Sequence, residues 1–298
     1  HRDLHSFPTR RSSDLWQVAD LEKDGSNLDL EAAAENLVEY ALEGFDTFDM
    51  ADHYGSAELI SGRAREILQL RQETCDNLNV ARFHTKWCPK PGRMSPKVVR
   101  DAIDERADRL GVESVDLLQL HWWTFQHPGY LDAMEGLMLA HEGGRIANIG
   151  LTNFDTDHLL VLLRHGFPVV SNQVVVSLLD QRALGDMTTE VLKNGIKLFA
   201  YGVLAGGFLT ERWLDKPEPG NSELNDWSKM KYKRFIDETG GWENLQIILR
   251  ALTSVAQRHD VSVANVATRW VLDQPAVGAV IIGDRKSTRL NSSHVLIS

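Results

Sequence analysis

The chain has 298 residues, 43% of them hydrophobic and 25% charged, which suits one large domain or two small ones with a sizeable core. Its 42 acidic and 32 basic residues give a formal charge of -10, which disfavours general binding to nucleic-acid backbones. The sequence contains no run of 18 apolar residues, the length that a membrane-spanning helix needs. The two cysteines, Cys75 and Cys88, imply no disulfide framework, so we expect a reducing, cytoplasmic location.

The two ends of the chain differ from its middle. Residues 1–15 and 285–298 show neither a helical nor a strand period, and both resemble translated sequencing-adapter read-through. We therefore expect two non-native or disordered tails around one domain, residues 16–284.

Between the ends, short β-rich runs alternate with amphipathic segments. The strand predictions are 45–51, 81–87, 115–121, 146–152, 171–177, 197–203 and 278–283. The helix predictions are 29–43, 56–70, 96–110, 130–143, 155–165, 184–194, 243–258 and 262–273. Helix caps are expected at Gly44, at Ser95 followed by Pro96, and at Asp155.

Seven strands that alternate with helices indicate a parallel α/β fold. The first helix has no predicted strand before it, so a (β/α)8 TIM barrel without its first strand and last helix is one interpretation. A doubly wound open sheet also fits seven strands. Segment 206–242 shows no clear period and is too long for a plain connection, which predicts a functional loop at the catalytic face.

Four chemically active side chains follow three consecutive predicted strands. Asp49 and Tyr54 lie where the first of these strands ends, Lys86 ends the next, and His121 ends the one after. Barrel enzymes work at this edge. A phenol is a poor acid at neutral pH unless a nearby ammonium stabilises the phenolate. Tyr54 would therefore be the acid, Lys86 would tune it, Asp49 would hold the lysine, and His121 would donate a hydrogen bond to a carbonyl oxygen.

The same motifs resemble those of the aldo-keto reductases. The segments concerned are DMADHYGSAE, HTKW, LLQLHWW, IGLTNF, SNQV and AYGVLAGGFLT, which run in family order between residues 16 and 283. The resemblance implies a TIM barrel and NADPH-dependent reduction of a small carbonyl substrate.

The resemblance also implies a cofactor site. Thr152, Asn153 and Gln173 would hold the nicotinamide carboxamide, and Tyr201 would stack on its ring. The pyrophosphate would be lined by Gly202, Leu204 and Gly206. The family's basic stretch for the 2′-phosphate corresponds only to Arg285 and Lys286, which lie in the suspected tail, so NADPH rather than NADH rests on the resemblance alone.

Other interpretations stay open at this stage. Trp87, Trp122 and Trp123 either wall a substrate pocket or fill barrel layers. The chain could be a cofactor-binding regulatory subunit, as are the potassium-channel β subunits of this fold, or an inactive fragment. Because the histidines show no HxH or HExxH spacing, we expect no catalytic metal. The sequence leaves the substrate and the oligomeric state undefined.

Overall fold

A computed structural model of the chain describes residues 11–15, 28–72, 81–220, 223–224 and 227–283. Eight parallel strands form a closed barrel in sequential order, which confirms the predicted α/β barrel. The strands are β1 (Arg11–Asp14), β2 (Thr47–Asp49), β3 (Arg82–Trp87), β4 (Leu117–His121), β5 (Ile149–Thr152), β6 (Val169–Val175), β7 (Lys197–Tyr201) and β8 (Val277–Ile282).

Helices surround the barrel in the described part of the chain. They are α1 (Leu30–Leu42), α2 (Ala57–Gln72), α3 (Pro96–Leu110), α4 (Tyr130–Glu142), α5 (Thr156–Arg164), α6 (Asp186–Lys193), α7 (Trp227–Glu238), α8 (Gly241–His259) and α9 (Val263–Leu272). In these residues no helix combines the length and the apolar character that crossing a bilayer would require.

Local capping explains where several helices begin and end. The Ser95 hydroxyl accepts a hydrogen bond from the Val98 N–H, with Pro96 as the first residue of α3. The Asp155 carboxylate accepts from the His158 N–H at 2.8 Å, which starts α5. These two predicted caps are confirmed, and each satisfies a backbone N–H that the helix itself leaves unpaired.

The first strand is where the structure differs from the sequence-based expectation. Residues Arg11–Asp14 pair in parallel with β2 and with β8, at Ser12↔Thr47 and at Ser13↔Ile282, and so close the barrel. These pairings join backbone groups, which every residue type carries, so the segment needs no apolar alternation to form them. The expected absence of a last helix concerns residues outside the described ranges.

Segment 206–242 also differs from the expected loop, because it contains short 3₁₀ turns and helix α7. Tyr232 and Ile236 of α7 are one helical turn apart and buried, and they join a cluster that includes Leu249 of α8. The apolar side of α7 therefore packs on α8, although the segment as a whole carries a polar composition.

The barrel interior is polar near the carboxyl ends of the strands. Buried Asp49, Lys86, Gln119 and Gln173 come from β2, β3, β4 and β6. Gly150 of β5 leaves room for this layer, since a Cβ there would lie 2.7 Å from Ser171 Oγ and 2.9 Å from Gln119 Cγ. Inward-facing side chains of neighbouring strands therefore meet at the catalytic face of the barrel.

Candidate active site

A buried ion pair lies at the centre of this polar layer. The Lys86 ammonium bonds the Asp49 carboxylate, and their side chains are 3% and 2% exposed. Lys86 Nζ also donates to the Met50 backbone oxygen at 2.8 Å. Because both charges are removed from water, the pair is held by these direct bonds and its geometry is well defined.

Two glutamines complete the shell of Asp49. Gln119 Nε2 and Gln173 Nε2 each donate to Asp49 Oδ1 at 2.9 Å, and Gln173 Nε2 also lies 3.1 Å from Gln119 Oε1. The amide of Gln173 therefore faces the ion pair in this structure, besides any role toward a cofactor. Sequence reasoning missed Gln119, although a glutamine inside the apolar strand LLQLH, two residues before His121, was the signal.

Tyr54 lies against the same lysine. Lys86 Nζ is 4.9 Å from the centroid of the Tyr54 ring, and the tyrosine is 9% exposed. A turn after β2, closed by the bond from Tyr54 N–H to the Ala51 oxygen, places the phenol there. The ring of His53 packs edge-on against it, with centroids 4.8 Å apart. The structure thus brings together the three side chains predicted for the acid, its tuner and the partner carboxylate.

His121 ends β4 and is restrained on three sides. Its ring stacks on Trp123 at 4.4 Å, Nδ1 lies 3.4 Å from Cys88 Sγ, and Nε2 lies 3.4 Å from Asn153 Nδ2. Burial, with the nearby Lys86 ammonium, lowers the pKa of His121 to about 4. Burial also raises the pKa of the Cys88 thiol. At neutral pH the imidazole is therefore neutral, and the thiol beside it keeps its proton.

The predicted cofactor residues lie next to His121. Thr152 is buried, and its Oγ1 has no hydrogen-bond partner among the described residues. Asn153 has a left-handed backbone, with φ 57°, and its N–H donates to the Gln173 oxygen at 2.8 Å. The Tyr201 hydroxyl donates to Asn153 Oδ1 at 3.0 Å. An unpartnered buried hydroxyl beside an asparagine suits an amide ligand that offers both a donor and an acceptor.

The segment after β7 supplies the remaining predicted cofactor residues. Gly202 and Gly206 have left-handed backbones, with φ 69° and 64°, and Leu204 is half-buried against the core. A Cβ at Gly202 would lie 2.1 Å from the Tyr232 hydroxyl. Packing of α7 therefore requires glycine at position 202, whatever else binds there.

Helix α7 also places Lys231 at this edge. Its ammonium lies 4.8 Å from the centroid of the Tyr201 ring and 3.5 Å from the Tyr201 hydroxyl oxygen. Burial lowers the pKa of Lys231. Sequence reasoning missed this residue because α7 itself was not predicted.

The three tryptophans lie in different environments. Trp123 is 59% exposed beside His121, with the His53 ring 6.4 Å away. Trp87 is buried at the end of β3. Trp122 is buried too, and its indole N–H donates to the backbone oxygens of Thr124 and His127. Trp123 is thus the one placed at the mouth of the site, and Trp122 fixes the following loop.

One group of side chains near the site could offer ligands to a metal ion. Ligand atoms of Asp52, His53 and Cys88 lie within 4.8 Å of one another. The Asp52 carboxylate already accepts from the Cys88 backbone N–H at 2.8 Å and contacts His53 Nδ1 at 3.0 Å. These bonds account for the position of Asp52, and the expectation of no catalytic metal stays a prediction.

The closed eight-stranded barrel carries Asp49, Lys86, Tyr54 and His121 at its carboxyl edge, an arrangement that suits an oxidoreductase acting on carbonyl groups. The chain belongs to the aldo/keto reductase family, whose sequence model matches residues 16–296. The match extends beyond residue 284, and the division of the chain at residues 15 and 284 stays a prediction.

Individual relatives agree with this assignment. The chain is 30% identical to flagellar radial spoke protein 5 of Chlamydomonas reinhardtii over 54% of its own length, but it spans only 34% of that protein. It is 23% identical to the NADH-specific methylglyoxal reductase of Escherichia coli, with 92% of this chain and 85% of that protein covered. The structure of glycerol dehydrogenase AKR11B4 from Gluconobacter oxydans superposes with a TM-score of 0.73 at 24% identity, and 95% of this chain and 84% of that chain are covered.

Proposed function

We propose that the protein reduces an aldehyde or ketone to an alcohol with NADPH, and that Tyr54 is the general acid. The observation that carries this proposal is the buried Lys86 ammonium, bonded to Asp49 and 4.9 Å from the centre of the Tyr54 ring. A positive charge against a phenol stabilises the phenolate that remains after the proton has been given away.

Each side chain then has one task. A reduced nicotinamide held by the predicted cofactor residues would supply the hydride that the carbonyl carbon needs. Tyr54 donates its proton to the carbonyl oxygen, Lys86 stabilises the resulting phenolate, and Asp49 holds the Lys86 side chain in place. The neutral imidazole of His121 orients the oxygen by donating a hydrogen bond from one ring nitrogen.

The cofactor would be held beside Tyr54 by residues of β5, β6 and β7. Thr152 and Asn153 would bind the carboxamide, together with Gln173, and Tyr201 would stack on the ring. Gly202, Leu204 and Gly206 would line the pyrophosphate. The choice of NADPH follows the family resemblance alone, because the two candidate 2′-phosphate residues, Arg285 and Lys286, lie outside the described residues. One relative is named NADH-specific, so the assay compares both cofactors.

The substrate would be a small carbonyl compound bound between aromatic side chains. Exposed Trp123 stacks on the His121 ring, and the His53 ring packs edge-on against Tyr54. Buried Trp87, which ends β3 directly after Lys86, would add to this wall. Such a wall favours apolar or aromatic groups next to the carbonyl. We further propose a cytoplasmic enzyme that acts on free small molecules rather than on nucleic acid or a membrane.

The direct test follows oxidation of NADPH, and separately of NADH, by absorbance with a panel of aldehydes and ketones. Tyr54→Phe should lower kcat by at least about 100-fold, because it removes the acid but keeps the ring. Cofactor binding, measured by quenching of tryptophan fluorescence, should stay close to that of the unaltered chain. Full turnover by the Phe variant would refute the assignment of Tyr54.

A second candidate function is a cofactor-binding subunit that acts through a protein partner. The observation that favours it is the match to a protein named as a flagellar component. Tight cofactor binding without turnover of any reactive aldehyde would support it. An inactive fragment would instead show neither cofactor binding nor a cooperative thermal melt.

A further inference from the structure

Hydrogen bonds connect helix α7 to the predicted catalytic imidazole. Lys231 Nζ lies 3.5 Å from the Tyr201 hydroxyl oxygen, and that hydroxyl donates to Asn153 Oδ1 at 3.0 Å. Asn153 Nδ2 lies 3.4 Å from His121 Nε2, and His121 Nδ1 lies 3.4 Å from Cys88 Sγ. Five side chains, one from α7 and four from the ends of β3, β4, β5 and β7, are thus joined in one series.

The first residue of the series decides its direction. An ammonium has donors and no acceptor, so the Tyr201 oxygen accepts from Lys231 and its own proton turns to Asn153. The Asn153 carbonyl oxygen is then occupied, and its NH2 group faces the imidazole. His121 Nε2 must therefore accept, which leaves the ring proton on Nδ1, directed at the Cys88 sulfur.

The opposite orientation of the Asn153 side-chain amide satisfies fewer hydrogen-bonding groups. If the Asn153 amide were turned over, its NH2 group would donate to the Tyr201 oxygen, which already receives the Lys231 donor. The tyrosine proton would then lose its Asn153 acceptor. Lys231 is therefore the group that distinguishes two otherwise equivalent patterns of hydrogen bonds.

We propose that Lys231 is a positioning residue that fixes the tautomer of His121 through Tyr201 and Asn153, with Nδ1 protonated and Nε2 engaged as an acceptor. The catalytic consequence rests on the proposed function. An imidazole that donates to a carbonyl from Nε2 needs its proton there, so Asn153 must first release that nitrogen. A ligand amide that binds Asn153 would do so.

The test is a ¹H–¹⁵N correlation spectrum of the full chain with ¹⁵N-labelled histidine at neutral pH, which shows the nitrogen of His121 that carries the proton. We expect Nδ1 in the unaltered protein. Lys231→Met keeps the aliphatic stem but removes the donor, so the two patterns become equivalent and a substantial share of the His121 proton should appear on Nε2. Lys231→Arg restores a donor and should return the proton to Nδ1.

Lys229→Met is the matched control on the same helix. Its ammonium reaches the backbone oxygen of Glu223 at 3.4 Å, not Tyr201, so the proton should stay on Nδ1. If Lys231→Met does not fold, Tyr201→Phe interrupts the same series and should give the same shift. A proton on Nε2 in the unaltered protein, or a proton that stays entirely on Nδ1 in a folded Lys231→Met or Tyr201→Phe variant, would overturn the proposal. The spectrum needs no turnover, so failure of the proposed reaction would show separately, in the NADPH assay.

Discussion

Replacing Lys86 by Met should cost stability as well as activity. The change keeps the length of the side chain but leaves the Asp49 carboxylate, 1% exposed, without its cation. Breaking a buried ion pair from one side costs about 3–5 kcal/mol. Asp49 would still accept from Gln119 and Gln173 at 2.9 Å, and these charged hydrogen bonds place the expected loss near the lower limit, ~3 kcal/mol.

Urea denaturation followed by tryptophan fluorescence measures this loss. Adding a second substitution, Asp49→Asn, to the Lys86→Met variant should raise its free energy of unfolding by at least ~1 kcal/mol, because it removes the uncompensated charge. Both variants should lack activity, since both lack the ammonium beside Tyr54. Lys97→Met is the surface control: the side chains of Lys97 and Asp101 are 73% and 56% exposed, so it should cost less than ~1 kcal/mol. If the double variant is no more stable than Lys86→Met, the desolvated carboxylate is not the cause of the loss.

Three further predictions concern stability. Burial lowers the pKa of His121 to about 4, so between the unfolded value near 6.5 and pH 4 the unfolded chain binds more protons than the native one. The free energy of unfolding should therefore fall as the pH drops through this window, by roughly 2–3 kcal/mol from this group, and His121→Gln should reduce the slope in urea titrations at several pH values. Gly150→Ala should cost about 1–3 kcal/mol in a urea titration, because the added Cβ would meet Ser171 Oγ at 2.7 Å. Arg106→Met should cost at least ~2 kcal/mol in the same assay, since Arg106 Nε lies 3.0 Å from the fully buried Glu58 carboxylate.

Each of these predictions has its own control. If the free energy of unfolding of His121→Gln falls with decreasing pH as steeply as that of the unaltered chain, groups other than His121 cause the loss of stability in acid. Gly220→Ala, where a Cβ would meet no atom within 4 Å, should cost less than ~1 kcal/mol, and an equal loss at Gly150 and Gly220 would contradict the packing argument. For Arg106, the control is Arg250→Met, which removes an exposed pair with Asp215 and should change stability by less than ~1 kcal/mol.

The sequence could place the predicted catalytic side chains near one another because parallel strands share one carboxyl edge. Residues that end consecutive strands must lie side by side in a closed barrel, so Asp49, Lys86 and His121 could be placed together from their strand ends alone.

Other features could not be predicted in the same way. Gln119 carries one amide in an otherwise apolar strand, and only the structure shows that it faces Asp49. Lys231 lies on α7, where the buried Tyr232 and Ile236 are separated by two charged residues and by Phe235, so no clear period was visible. Strand β1 forms through backbone pairing, which leaves no trace in hydrophobic patterning.

The Asp49 carboxylate receives hydrogen bonds from β3, β4 and β6 while it belongs to β2. Four of the eight strands are thus linked through the two carboxylate oxygens of Asp49. A shift of any one of these strands would displace the proposed proton-transfer groups directly. New specificity in such a protein should therefore arise in the connecting loops, and mutations within this ring should alter folding and turnover together.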